Sequence, residues 1–450
     1  MSTTIPTSPT PTPAAPPIQK ETTVGNYFVS NYPPFSFWKP ELTPEVYNAI
    51  EQPPRPNTPL GIYLHIPFCR KRCHFCYFKV YTDKDSSEIR GYIDAALKEL
   101  SIYARKPVIG GRTANFVYFG GGTPSYLSVD QLKQLTDGMK QHISWDGVEE
   151  VTFECEPGTL TDHKLKAIRD MGVTRLSLGI ENFSDHILEI NGRAHRSKEV
   201  YRAYGYAREL GFPQVNVDLI AGMVEETDAN WVDCIKKTIE LSPDSVTIYQ
   251  MEIPYNTSIY QQMKAEGKLV APVADWDVKR EWVKYAFAEL EKAGYTIASA
   301  YTAVKSKTKT NFVYRDKLWA GADLLSLGVA SFGHFSGTHY QNHHDFETYV
   351  SKVNAGELPI FRALTPNDDE KLIREFILQL KLGKTRFDYY QDKFGADPRQ
   401  RFAAPLQTLQ DWGFGTVDAE SVSLNRDGLL QVDRLLHEFF LPQHKNARYA

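Results

Sequence analysis

Leu60-Gly-Ile-Tyr-Leu-His-Ile-Pro-Phe-Cys-Arg-Lys-Arg-Cys-His-Phe-Cys76 is the stretch from which the rest of the chain is read. An apolar run over Leu60–Ile66 has the composition of a buried strand and stops at a proline. It then gives way to Cys69, Cys73 and Cys76 at the spacing C-x3-C-x2-C. The whole chain has 5 cysteines, so three within eight positions are not scatter. Three thiolates would bind three irons of a [4Fe–4S] cluster and leave the fourth iron open, as catalytic metal sites leave a position open. The odd count and tight spacing argue against a disulfide. Zinc needs a fourth ligand, and His74, inside the motif, is out of register with a simple site of three Cys and one His. Zinc and an unliganded trio stay as alternatives to the cluster.

Outward from this stretch, strand-like and helix-like runs alternate. Strands are expected at Leu60–Ile66, Asn115–Phe119, Val151–Glu154, Arg175–Ile180, Gln214–Ile220 and Ser245–Gln250. Helical patterns lie between them at Glu88–Tyr103, Val129–His142, Thr161–Met171, Lys198–Leu210 and Asp228–Leu241. Such a repeat builds a parallel sheet with helices outside, and six units suit a partial barrel better than a closed eight-unit one. Polar residues then fall at the C-terminal strand ends, where barrel chemistry sits. The cysteine loop follows the first strand, and Gly120-Gly121-Gly122-Thr123-Pro124 follows the second. Glu154 and Glu181 end the third and fourth, Asp218 lies on the fifth, and Tyr249 and Gln250 end the sixth.

The expected fold class is α/β: a partial (β/α)6 TIM-like barrel with a small C-terminal winged-helix-like domain. Residues 1–24 read as a disordered Pro/Thr-rich tail. Residues 25–59 read as an N-terminal extension, 60–300 as the barrel, 301–364 as a barrel-completing and connecting segment, and 365–450 as the C-terminal domain. A strand is expected at Tyr295–Ala300 and a glycine-containing segment at Asp323–His334. The C-terminal order is a helix at Asp368–Leu380, a helix at Pro398–Trp412, short strands around Gly415–Leu424, and a helix at Gly428–Phe440. The segment lacks a strong basic patch, so it is read as a packing module rather than a DNA reader.

Net charge is −4, which argues against a nucleic-acid backbone as the main partner. No run of 18 apolar residues suggests a membrane span, and the N-terminus lacks the basic and apolar regions of a signal peptide. Sparse cysteines fit a reducing compartment. The chain reads as soluble and cytoplasmic.

Taken together, several stretches resemble the radical S-adenosylmethionine (SAM) enzymes, and within them the oxygen-independent coproporphyrinogen III oxidase-like group. They are Tyr63-Leu-His-Ile-Pro-Phe-Cys, Gly120-Gly-Gly-Thr-Pro-Ser-Tyr-Leu, Arg175-Leu-Ser-Leu-Gly-Ile, Asn216-Val-Asp-Leu-Ile-Ala-Gly and Asp323-Leu-Leu-Ser-Leu-Gly-Val, with Asn26-Tyr-Phe-Val-Ser-Asn-Tyr-Pro-Pro ahead of the barrel. The resemblance implies that Cys69, Cys73 and Cys76 hold a [4Fe–4S] cluster and that SAM binds its open iron. It implies SAM contacts from Gly121, Gly122 and Thr123, from Glu154, and from Arg193 to the SAM carboxylate. It also places Asp218 near the ribose and Tyr63 beside the site. A flavodoxin or ferredoxin would supply one electron, SAM would be cleaved to a 5′-deoxyadenosyl radical, and a tetrapyrrole-like substrate would lose hydrogen. Oxidative decarboxylation of coproporphyrinogen III leads. No residue is singled out as catalytic beyond these contacts.

Two positions depart from the group. Glu181 stands where the family usually has glutamine, and Tyr77-Phe78 stands where the oxidases carry a fourth cysteine. Relatives in the group use a second SAM as methyl donor, cleave haem anaerobically, or act as haem chaperones. A methyltransferase or related modifying enzyme and a haem-binding chaperone therefore stay as alternatives, and one or two SAM molecules stay open. His334, His339, His343 and His344 read as a polar loop of solvated histidines, with a haem ligand as the sharper alternative. Cys155 and Cys234 read as core.

Overall fold

In the computed structural model, residues 27–267, 273–306, 310–445 and 447 are described. The tail read at 1–24 lies outside them. Six strands, β1 (Leu60–Ile66), β2 (Phe116–Gly121), β3 (Glu150–Cys155), β4 (Arg175–Glu181), β5 (Gln214–Ala221) and β6 (Ser245–Gln250), lie side by side in chain order. Each pairs in parallel with the next, as from Gly61 opposite Phe116 to Ile66 opposite Gly121. Helices Ser86–Ala104, Val129–His142, Asp162–Asp170, Ser197–Glu209 and Asp228–Leu241 make the crossovers. Asp85 and Ser128 start the first two through capping boxes, and Thr161 and Thr227 cap the third and last.

The ends of the sheet differ from the expected pattern. The segment expected as one strand over 295–300 forms only the short β7 (Thr296–Ile297), and a second short strand, β8 (Thr302–Val304), follows it. β8 runs antiparallel to β6, so it closes the edge instead of extending the repeat. At the other end β9 (Asp323–Leu327) is a seventh parallel strand, beside β1. It is followed by an antiparallel run of β10 (Phe332–Phe335), β11 (Thr338–Asn342) and β12 (Ile360–Leu364). β12 and β7 are the two ends of the resulting open sheet.

The period of two along each strand sorts chemistry by face. Leu64, Val117, Phe119, Phe153, Leu176, Leu178, Val217 and Ile248 pack in the large core with the helices. The intervening Tyr118, Glu154, Ser177, Asp218, Thr247 and Tyr249 face inward onto a cavity. Each fully buried Leu or Phe on the helix face contributes about 1.5–3 kcal/mol relative to exposure. The apolar layer therefore holds the sheet while the inner face is free to be polar.

A second core joins helix Asp368–Leu380 to Phe402, Leu406, Leu409, Val422, Leu435 and Phe439, and takes in Val29, Tyr32, Ala300 and Trp319. Its small sheet is β13 (Lys384–Arg386), β14 (Gly415–Val417) and β15 (Ser421–Leu424), in the order β13-β15-β14. The helix expected over 398–412 is broken at Phe402, whose φ of −115° is not helical, and the one expected over 428–440 is split at Gln431.

Candidate functional site

The cysteine loop is pinned at its base. Cys69 N donates to Tyr81 O at 3.0 Å and Tyr81 N to Pro67 O at 2.8 Å. Inside it, His74 N donates to Asn191 O at 3.0 Å, and Arg72 donates to the carbonyls of Cys76 and Asn256. The three thiols are thus carried on irregular backbone with its own hydrogen bonds, and all three line one cavity of about 390 Å³. Burial pushes the Cys69 thiol up to about 11 and the Cys76 thiol up to about 12. Thr123 donates to Cys69 Sγ at 3.3 Å and Arg193 to Cys73 Sγ at 3.4 Å, so both partners favour the thiolate.

Thiols held against buried donors fit a polynuclear cluster, whose charge would favour their ionised form. The donor set speaks against a Cys3His zinc site. His74 Nδ1 lies 3.0 Å from Ile190 O, and its ring packs against Gly192. Among the described residues no three His, Cys, Asp or Glu side chains are grouped to hold a single ion.

The glycine turn after β2 runs beside this loop. Gly122 N donates to Ile66 O at 2.8 Å and Thr123 N to Phe68 O at 2.9 Å. A Cβ on Gly122 would lie 2.9 Å from the Pro67 backbone and 3.0 Å from Cys69 Sγ. Gly121 has φ +115°, and a Cβ there would meet the His65 ring at 2.7 Å. Only glycine lets the two segments run this close.

Glu154, Asp218 and Glu181 share the inner wall with Glu156 and Glu252. Glu154 accepts from Tyr118 Oη at 2.6 Å and Gly121 N at 3.2 Å, and burial pushes it up to about 7. Asp218 accepts from Ser177 Oγ and Asn216 Nδ2, both at 2.8 Å, and burial raises it too. Glu181 follows a register shift in β4 and has φ +63°. The shift re-aims it at Arg193, 3.4 Å away, and burial pushes it up to about 7 against that cation. Arg193 also donates to Gly179 O at 2.5 Å, while its buried Nε has no hydrogen-bond partner among the described residues.

Gly121, Gly122, Thr123, Glu154, Glu181, Arg193 and Asp218 therefore meet the three cysteines around one space. Tyr63 does not reach its wall. It lies behind Tyr118, rings stacked at 5.8 Å, with its hydroxyl 3.2 Å from His65 Nδ1. Tyr118, two strand positions before Gly120, lines that wall instead. Sequence reasoning also passed over Glu156, which takes both oxygens to Arg70 at 3.1 and 3.0 Å and pairs with His195 at 3.2 Å. It follows β3 immediately, so the strand-end rule would have found it.

The histidine reading is corrected in part. His334 and His339 are fully enclosed, opposite each other on β10 and β11, with their Nδ1 atoms 2.9 Å apart. His339 stacks on Trp38 at 5.0 Å, and neither lines the cavity. Their strands pair through those two residues, so the rings face inward together rather than into solvent. Cys155 and Cys234 lie in the large core.

The profile of the Radical SAM superfamily matches residues 63–238. The heme chaperone HemW of Haemophilus influenzae is 31% identical over 279 residues, covering 61% of this chain and 70% of its own. The chain belongs to the radical SAM superfamily, in its coproporphyrinogen III oxidase-like group. The oxygen-independent coproporphyrinogen III oxidase of Escherichia coli is 25% identical over 393 residues, 84% of this chain and 81% of that one. The heme chaperone HemW of Bacillus subtilis is 27% identical over 385 residues, 84% and 98%. The solved structure of the Escherichia coli coproporphyrinogen III oxidase superposes with a TM-score of 0.79 at 21% identity, over 92% of this chain and 96% of that one. This radical SAM protein thus shares its fold across nearly its whole length. No helix among the described residues is long and apolar enough to cross a membrane.

Proposed function

We propose that Cys69, Cys73 and Cys76 hold a [4Fe–4S] cluster and that the chain uses it with SAM on a tetrapyrrole, in the oxidative decarboxylation of coproporphyrinogen III. The observation that carries this is the single cavity that gathers three thiols, a glycine turn and the carboxylates of Glu154, Glu181 and Asp218. When bound, cluster and SAM together supply a reductively formed 5′-deoxyadenosyl radical that takes hydrogen atoms from C–H bonds. An external one-electron donor of flavodoxin or ferredoxin type provides the reduction.

The chain's residues bind and orient. Gly121 and Gly122 let backbone approach the methionyl end of SAM, with Thr123 beside them. Glu154 accepts from its amino group, and Arg193 offers its guanidinium to the carboxylate. Asp218, already fixed by Ser177 and Asn216, faces the ribose hydroxyls. Glu181 shares the charge of Arg193 and limits how strongly that arginine holds an added carboxylate. In the net reaction each of two propionates loses one hydrogen atom, one CO2 and one electron to become a vinyl group, and an external acceptor takes the electron.

A second reading, a haem-binding chaperone, is favoured by Tyr77-Phe78 where the oxidases carry a fourth cysteine and by the identity to the HemW proteins. Anaerobic incubation of reconstituted protein with dithionite, SAM and coproporphyrinogen III separates the two. Loss of two carboxyl groups with formation of 5′-deoxyadenosine supports the oxidase. Stoichiometric haem binding with unchanged porphyrinogen supports the chaperone.

A further inference from the structure

One guanidinium on the inner wall has no part in that reading. Arg175 opens β4, and the two-residue period puts it on the same face as Ser177 and Gly179, with which it lines the cavity. Its side chain stands at the strand end away from the cysteine loop. The residue is 2% exposed. A guanidinium carries five N–H donors in a rigid fork, and arginines this buried are normally paired.

Among the described residues none accepts a hydrogen bond from this guanidinium or forms an ion pair with it, and it lies over the Phe312 ring, 4.1 Å from the ring centroid. The residue lines the cavity.

The acids around it are committed elsewhere. Asp218 is held by Ser177 and Asn216, and Glu154 by Tyr118 and Gly121 N. Glu150 accepts from Val313 N at 3.0 Å, Tyr314 N at 3.1 Å and Thr152 Oγ1 at 3.1 Å. They bathe Arg175 in negative potential without using its donors. Arg193, the other buried cation on the wall, is engaged by Glu181, Gly179 and Cys73. With one face on Phe312, Arg175 keeps its edge for a planar, two-oxygen partner, the geometry a carboxylate offers.

We infer that Arg175 anchors a carboxylate of the bound substrate by a bidentate pair at the inner end of the cavity. This rests on the tetrapyrrole reading above, since the propionates are such carboxylates. The competing role is that of a counter-ion to Glu150, Glu154 and Asp218 that touches no ligand.

The test titrates the full-length protein with coproporphyrin III and with its tetramethyl ester in the same mild detergent, read by fluorescence. Wild type, Arg175→Lys and Arg175→Gln are compared, with melting temperature as a folding control. The anchor predicts that wild type prefers the tetra-acid. It also predicts that Arg175→Gln weakens acid binding roughly thirtyfold while ester binding holds. Arg175→Lys should recover only part of the loss, because a point charge does not match the fork. Unchanged acid binding in Arg175→Gln, or a parallel fall for acid and ester, overturns the anchor. Wild-type acid binding in Arg175→Lys does so too, and that variant keeps the charge if the glutamine variant fails to fold. A wild type that binds neither porphyrin sinks the tetrapyrrole reading and the anchor with it. A wild type that binds both, with Arg175 indifferent, sinks the anchor alone.

Discussion

Between Cys69 and Tyr81 the chain holds three thiols at the edge of a cavity, while between Phe332 and Asn342 it seals two imidazoles inside protein. Both segments are rich in residues that bind metals, and both hang on the same sheet. In the loop, backbone hydrogen bonds to Tyr81, Pro67 and Asn191 satisfy the main chain, so the side chains are left for something else. In the hairpin, cross-strand pairing sets His334 opposite His339, and each ring meets the other. A ligand-type residue becomes a site when irregular backbone carries it past the C-terminal end of a parallel strand. Inside a ladder the same residue type is consumed by its neighbour.

The harshest way to break this comparison is Cys73→Ala. Iron and sulfide content after reconstitution, together with the visible absorption of the cluster, should collapse. Wild-type iron in that variant ends the three-thiolate proposal. His74→Ala should keep its iron, because its ring is already bonded to the Ile190 carbonyl. Loss of metal from both variants would restore a site of three Cys and one His.

His339→Ala tests the other side. It removes a stacked, enclosed ring and strands His334 and the Tyr32 carbonyl, at a cost of about 2–4 kcal/mol in a denaturant melt. Its iron content should match wild type. A variant as stable as wild type that fails to take up iron would place the hairpin in the site after all.

The contrast also explains what could be read from the sequence. The six parallel strands were legible because their outer faces are apolar runs, and the cavity residues because they end those runs. β9 was not, since a strand that pairs with β1 after a separation of more than 250 residues leaves no local mark. The split of the last helices follows from single non-helical residues, Phe402 and Gln431, that no propensity singles out. Glu181 was legible as a strand-end acid, but its left-handed backbone and its pairing with Arg193 come from a register shift that only the neighbouring strand defines.

That residue gives a subtler test. Glu181 titrates at about 7 against an ordinary 4.5, because burial outweighs Arg193. The folded chain holds this proton more tightly than the unfolded one, so the group's contribution to stability falls as pH rises through that window and is level above it. Glutamine does not titrate. The stability of Glu181→Gln relative to wild type should therefore climb between pH 4.5 and 7 in urea melts of the iron-free protein. A flat difference across the window would mean that Arg193 holds Glu181 ionised throughout.

The smallest effect separates two tyrosines. Tyr63 and Tyr118 stand on neighbouring strands in register, with stacked rings, but of the two Tyr118 lines the cavity and donates to Glu154. Tyr63→Phe removes one hydrogen bond to His65, of the order of 1 kcal/mol in stability, and leaves the Glu154 carboxylate as it was. SAM affinity, read by equilibrium binding to the reconstituted protein, should shift by less than about twofold. Tyr118→Phe takes a donor from a buried carboxylate whose orientation the proposed site depends on, and should weaken SAM several-fold. If Tyr63→Phe proves the more damaging, the inner wall is drawn one layer too shallow, and the tyrosine beside the cofactor is the one on β1.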